Sequence, residues 1–167
     1  MTEQTAQLLA AMADYDGGAP ARIHHFVKVH GFAAAIGVME GLDEETQFVL
    51  ETAALVHDIG IRNCEQKYGR SDGKLQEQEG PDEAEALLRS LGGYTDEQIA
   101  RIKYLVGHHH TYKNIDALDY QILIEADFLV NLHEFADRYQ AILAAEERIF
   151  RTKSGKRLLG SLFGIKK

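Results

Sequence analysis

Apolar residues recur along this chain at helical rather than alternating spacing. Leu8, Leu9 and Met12 predict a short amphipathic helix that stops at Asp16-Gly17-Gly18. Pro20 suits the first turn of a second helix, whose Ile23, Phe26, Val27, Phe32, Ile36 and Met39 share helical spacing up to Gly41. Asp43 is placed to cap a third, which runs through Phe48, Val49, Ala53 and Val56 to His57-Asp58. Residues 61–80 show no clear period and contain Gly69, Gly73 and Gly80, so a long loop of the functional or mobile kind is expected there. Pro81 is expected to open the next helix, carrying Ala84, Leu87, Leu88 and Leu91 to Gly92-Gly93.

Thr95-Asp96-Glu97-Gln98 starts another helix, through Ile99, Ile102, Leu105 and Val106 to Gly107. After a loop around Asn114, Ile122, Ile124, Phe128, Leu129 and Leu132 predict one more. Phe135, Tyr139, Ile142, Leu143 and Ile149 mark a further amphipathic stretch. No alternating run of strand type lies outside these segments. The pattern therefore reads as one all-α domain, a bundle of about six to eight helices over residues 1–150, with residues 151–167 as a tail or helix packed on it.

Composition adds limits. A chain of 167 residues with 45% hydrophobic and 26% charged residues fits one ordinary globular domain. The formal net charge of −8 argues against general binding of nucleic acid, a polyanion. The charge is unevenly placed: Arg148, Arg151, Lys153, Lys156, Arg157, Lys166 and Lys167 follow residue 147 with no acid among them, whereas residues 1–147 carry 26 acids against 11 bases. Such a tail can dock on its own domain, on a partner or on a phosphate-bearing ligand. The single cysteine, Cys64, excludes an intrachain disulfide, and no signal peptide or membrane span is visible, so a cytoplasmic protein is expected.

The chemistry lies in the polar residues that interrupt apolar runs. His57-Asp58 ends the stretch Thr52-Ala53-Ala54-Leu55-Val56, and Asp127 interrupts Ile122-Leu123-Ile124-Glu125-Ala126 before Phe128-Leu129-Val130. Burying such groups is costly unless a cation or hydrogen-bond donors compensate them, and imidazole with carboxylate is a good ligand set for a divalent metal. The other histidines are His24, His25 and His30, the run His108-His109-His110, and His133.

With Arg22-Ile23-His24-His25-Phe26-Val27-Lys28-Val29, then Ala54-Leu55-Val56-His57-Asp58-Ile59-Gly60, then Glu125-Ala126-Asp127-Phe128-Leu129, residues 20–135 resemble the HD-domain metal-dependent phosphohydrolases. The resemblance implies His25, His57, Asp58 and Asp127 as metal ligands, with His24 pointing elsewhere and His30 at the surface or in a supporting position. Two-metal subgroups of that family add a histidine where this chain has Gln76, four residues before Gly80, and a later histidine pair that His108-His109 match. One divalent transition metal (Mn, Fe, Co, Ni or Zn) is therefore expected. A second would draw on Glu77, His108 and His109. Were 108–110 helical, the three histidines would point about 100° apart, with His108 or His109 inward and His110 outward.

The resemblance implies hydrolysis of a phosphoester of a small molecule, a nucleotide being one candidate, by a water made acidic at the metal. Asp58, Glu79 and Lys28 are the candidate catalytic residues. Arg22, Arg62, Lys67, Arg70 and Lys74 are candidates for holding phosphate, and Tyr68, Tyr104 and Tyr112 for stacking a base. Alternatives are a di-iron oxygenase on the same scaffold or a metal-binding regulatory module without turnover. The expected partner is a small phosphorylated substrate, and a homodimer is compatible with the sequence.

Overall fold

A computed structural model of the protein describes residues 1–134 and 139–165. Phe135, Lys166, Lys167 and the side chain of Tyr139 lie outside the described residues. Nine helices and no strand are found among the described residues: α1 (Glu3–Tyr15), α2 (Pro20–Glu40), α3 (Glu44–Val56), α4 (Gly60–Tyr68), α5 (Gly73–Leu91), α6 (Asp96–Val106), α7 (Leu118–Glu134), α8 (Tyr139–Arg148) and α9 (Lys153–Phe163). The all-α bundle expected from the pattern is what the chain forms. No helix among the described residues is long and apolar enough to cross a membrane.

Local chemistry sets most boundaries. Asp43 accepts the Thr46 N–H at the start of α3, and Thr95 with Gln98 closes a reciprocal capping box at the start of α6. Gly41 ends α2 in the left-handed conformation. The central helix is α3, packed against α1, α2, α6 and α7. Its last turn is wholly enclosed, Thr52 through His57 each having no exposed surface. The dry run seen in the sequence is therefore the axis of the bundle, and it delivers His57 and Asp58 from the interior to the site.

The expected loop over 61–80 is mostly helix. Helix α4 follows α3 through a tight turn, and α5 begins eight residues before Pro81, which sits inside it. The two helices cross where a Cβ on Gly60 would meet Gly80 N at 2.8 Å and Gln76 O at 3.0 Å. That contact is backbone on backbone and needs glycine at position 60, while a Cβ on Gly80 would meet Val106 Cγ1 of α6 at 2.8 Å.

Helix α9 lies against α2 and α7. Its approach is fixed by Glu125 of α7, a carboxylate with no exposed surface. Glu125 accepts from Gln121 Nε2 (2.7 Å), Arg151 N (2.6 Å), Thr152 N (2.9 Å) and Thr152 Oγ1 (2.5 Å). A buried charge is tolerable here because four donors replace its water.

Candidate metal centre

Two helices and two turns bring the polar residues together. Helix α2 supplies His25, the α3–α4 turn supplies His57 and Asp58, α7 supplies Asp127, and the turn after α6 supplies His109 and His110. His25 Nε2 lies 3.3 Å from His57 Nε2 and 3.1 Å from Asp127 Oδ1. Asp58 Oδ2 is 3.5 Å from both His25 Nε2 and His57 Nε2, while its other oxygen is 3.4 Å from His109 Nε2. Two groups thus have ligand atoms mutually within 4.8 Å: His25, His57 and Asp58, and Asp58, His109 and His110. Either could hold a metal ion.

Hydrogen bonds on the outer nitrogens decide what the inner ones are. His57 Nδ1 is 2.9 Å from the Ala54 carbonyl, His109 Nδ1 2.7 Å from the Val106 carbonyl, and His25 Nδ1 2.8 Å from a Glu134 oxygen. These partners only accept, so each Nδ1 carries a hydrogen, and a ring with no second proton turns a lone pair at Nε2 inward. Those lone pairs meet one another and the oxygens of Asp58 and Asp127, which also only accept. His109 Nε2 is buried without a hydrogen-bond partner. A cluster of inward acceptors is stable only if protons or a cation occupy its centre, and this donor set fits a borderline transition metal.

The titration of the site follows the same logic. Burial works against the charged form of His25, but its bond to Asp127 and the charges of Asp58 and Asp127 outweigh it and push the ring up to about 9. His57 is likewise raised: burial opposes its charge, and Asp58 and Asp127 overcome it. Burial would raise both carboxyls, yet the histidines facing them hold Asp58 and Asp127 well below the usual carboxylate range. Burial, reinforced by His109, pushes His110 down to about 4, which leaves it neutral near pH 7.

Several sequence expectations change place. His110 was expected outward, but it lines the cavity, and His108 instead stacks on Tyr104 with ring centroids 4.2 Å apart. The 100° rule fails because α6 ends at Val106 and residues 107–110 form a turn. Glu77 accepts from His110 N (3.0 Å) and Thr111 Oγ1 (3.2 Å), and Tyr120 donates to His108 O (2.7 Å), so both fasten that turn. Glu77 is a brace there. Gln76 Oε1 accepts from His110 Nε2 at 3.0 Å, which leaves His110 Nδ1 as its free lone pair. His30 is buried and paired with Glu51 at 3.2 Å rather than at the surface.

The catalytic and phosphate-binding candidates are mostly elsewhere. Glu79 pairs with Lys67 and accepts from Tyr68 OH at 2.8 Å, and Lys28 pairs with Glu134; neither Glu79 nor Lys28 lines the cavity. Arg62 donates to Tyr15 O (2.8 Å) with its guanidinium over the Tyr15 ring, Arg70 pairs with Asp72 (3.4 Å), and Lys74 is exposed. These residues belong to α4 and its flanks, whose basic side turns from the site. Only Arg22 of the five lines the cavity, and Glu65 and Asp16 already hold it. Tyr112 packs on Phe128. The cavity over the centre is about 290 Å³, with Ser71, Gln76 and Asn131 as its uncharged polar walls. Sequence reasoning missed Glu134, although it stands seven residues after Asp127 on the same helical face.

No family model, curated protein or solved structure matches the chain.

Proposed function

We propose that the chain is a metal-dependent phosphohydrolase of the HD-domain type, acting on a small phosphorylated molecule through two cation positions that share Asp58. The observation that carries this reading is the convergence of imidazole nitrogens on the two oxygens of one carboxylate, at the floor of a cavity. His25, His57 and Asp127 would complete one position and His109 with His110 the other. This departs from the single metal expected from the sequence, because His110 faces inward and takes the part for which Gln76 is unsuited. Divalent cations there would supply Lewis acidity, lowering the pKa of water toward about 7 and drawing charge from a phosphoryl oxygen.

The protein's own groups do the rest. Asp58 and Asp127 stay ionised and the imidazoles neutral once a cation replaces the protons. Two dications against two carboxylates leave about two positive charges, enough to balance a phosphate dianion without the basic residues of α4. Ser71, Gln76 and Asn131 are placed to hydrogen-bond the remainder of a substrate.

The test is elemental analysis of purified protein together with turnover of p-nitrophenyl phosphate and a nucleotide panel under added Mn, Fe, Co, Ni and Zn. About two metals per chain are expected, with both metal and turnover lost in His57→Ala. Turnover that survives this substitution would sink the assignment. The same paired positions also suit a di-iron oxygenase, and an optical band of a mixed-valence di-iron centre with oxygen uptake would favour that reading instead.

A further inference from the structure

Among the three converging imidazoles, His25 is held differently. His57 and His109 lie just past the ends of α3 and α6, where the last carbonyls have no intrahelical partner, and their Nδ1–H groups donate to such carbonyls, Ala54 O and Val106 O. His25 sits inside α2, where the carbonyl one turn back is already committed to the helix. It needs an acceptor from elsewhere. Glu134 Oε2 provides one at 2.8 Å, and the other oxygen of Glu134 takes the Lys28 ammonium.

Helix geometry registers this set. His25 and Lys28 are three residues apart on α2, and Asp127 and Glu134 seven apart on α7, so each pair shares a face where the two helices pack. One end of the His25 ring meets Asp127 and the other meets Glu134. We propose that Glu134 is a positioning residue for the metal centre: it fixes His25 as the Nδ1–H tautomer with Nε2 turned to the cation, while Lys28 keeps the Glu134 carboxylate ionised and drawn away from the cation. The inference rests on cation binding at His25, though not on hydrolysis.

Zn²⁺, which is diamagnetic, is the probe. Its affinity for the full chain is measured by chelator competition, and the histidine tautomers of the Zn²⁺-loaded protein by long-range ¹H–¹⁵N NMR. In the wild type, His25 should appear as the Nδ1–H form. Glu134→Ala should weaken Zn²⁺ binding about 10- to 100-fold, the usual effect of removing the partner of a metal-bound histidine, and should disperse the His25 signals. Glu134→Gln, whose amide oxygen can still accept, should recover part of the affinity, and Lys28→Met should show a smaller loss than Glu134→Ala. Thermal melting of the metal-free variants controls for folding. Two outcomes separate the claims: affinity within twofold of wild type in Glu134→Ala, with His25 still Nδ1–H, overturns the positioning role alone. Loss of melting temperature without selective loss of Zn²⁺ affinity in Glu134→Gln also overturns it, as a helix-bridging contact only. A wild type that binds no Zn²⁺ overturns the metal reading and this inference together, whereas Zn²⁺ binding without turnover touches only the hydrolase assignment.

Discussion

Replacing Gly155 and Gly160 of α9 by alanine, one at a time, should change stability in opposite directions. Helix propensity alone favours alanine at both by about 0.8–1 kcal/mol. A Cβ at Gly160 would meet only Ile165 O, at 3.6 Å, an ordinary contact. A Cβ at Gly155 would lie 2.0 Å from Glu125 Oε2 and 2.7 Å from Thr152 Oγ1, so the buried carboxylate must retreat by more than an ångström. It cannot do so and keep all four of its donors. Hydrogen bonds to a charged group contribute about 1.5–3 kcal/mol each. Losing two costs about 3–6 kcal/mol, against which the propensity gain is small. For a domain of this size, where 1 kcal/mol moves Tm by about 2–4 °C, Gly155→Ala should melt roughly 5–15 °C below wild type and Gly160→Ala a few degrees above it. Calorimetry with circular dichroism checks both. A Gly155→Ala protein as stable as wild type would refute the claim that Glu125 has no room to yield.

Three further outcomes follow from the centre. In cation-free protein, His25 is pushed up to about 9 from an ordinary 6.5, so the stability its charge confers is present below pH 6.5 and lost as pH climbs through 9. Melting of the chelated protein should fall across that window, and His25→Gln should flatten the fall. Asp58 and Asp127 act in the opposite sense, since they are depressed: their contribution is present above about pH 4 and lost at lower pH. Adding a binding cation at about a hundredfold over its Kd should raise stability by about 2.7 kcal/mol in wild type and by nothing measurable in His57→Ala, followed by melting temperature. His109→Ala and His110→Ala should each reduce the metal-to-protein ratio from about two to about one, whereas His108→Ala should leave it unchanged; elemental analysis decides.

Helices with a wet and a dry face announced themselves in the sequence. The starts at Asp43 and Thr95 and the stops at Gly41 and Gly92 were legible because one side chain or one left-handed residue settles each of them. Helix α4 was not, because only Gly60 and Cys64 of its nine residues are buried, too few to write a period. Nor was the first half of α5, where Gln76 and Gly80 are the buried positions and Pro81 reads as a beginning. The need for compensation at His57-Asp58 and Asp127 was legible, since these polar residues interrupt dry helices, but joining them with His25 into one set came from the resemblance to the HD-domain pattern. What was not legible was the direction of His110, which depends on the turn after Val106, and the partner of His25, which depends on how α2 and α7 are registered.

The Glu125 tie also has a consequence for how the molecule is made. Three of its four donors come from residues 151 and 152, which leave the ribosome after every candidate cation ligand, the last of which is Asp127. Until they arrive, Glu125 has only one of its four donors, Gln121. A nascent chain stopped at residue 150 would contain the whole candidate ligand set and still lack three of the donors that hold Glu125, two residues before Asp127 on α7. Completion of the candidate centre is thereby tied to residues that follow it in the chain, since Asp127 rides on the helix that Arg151 and Thr152 fasten through Glu125.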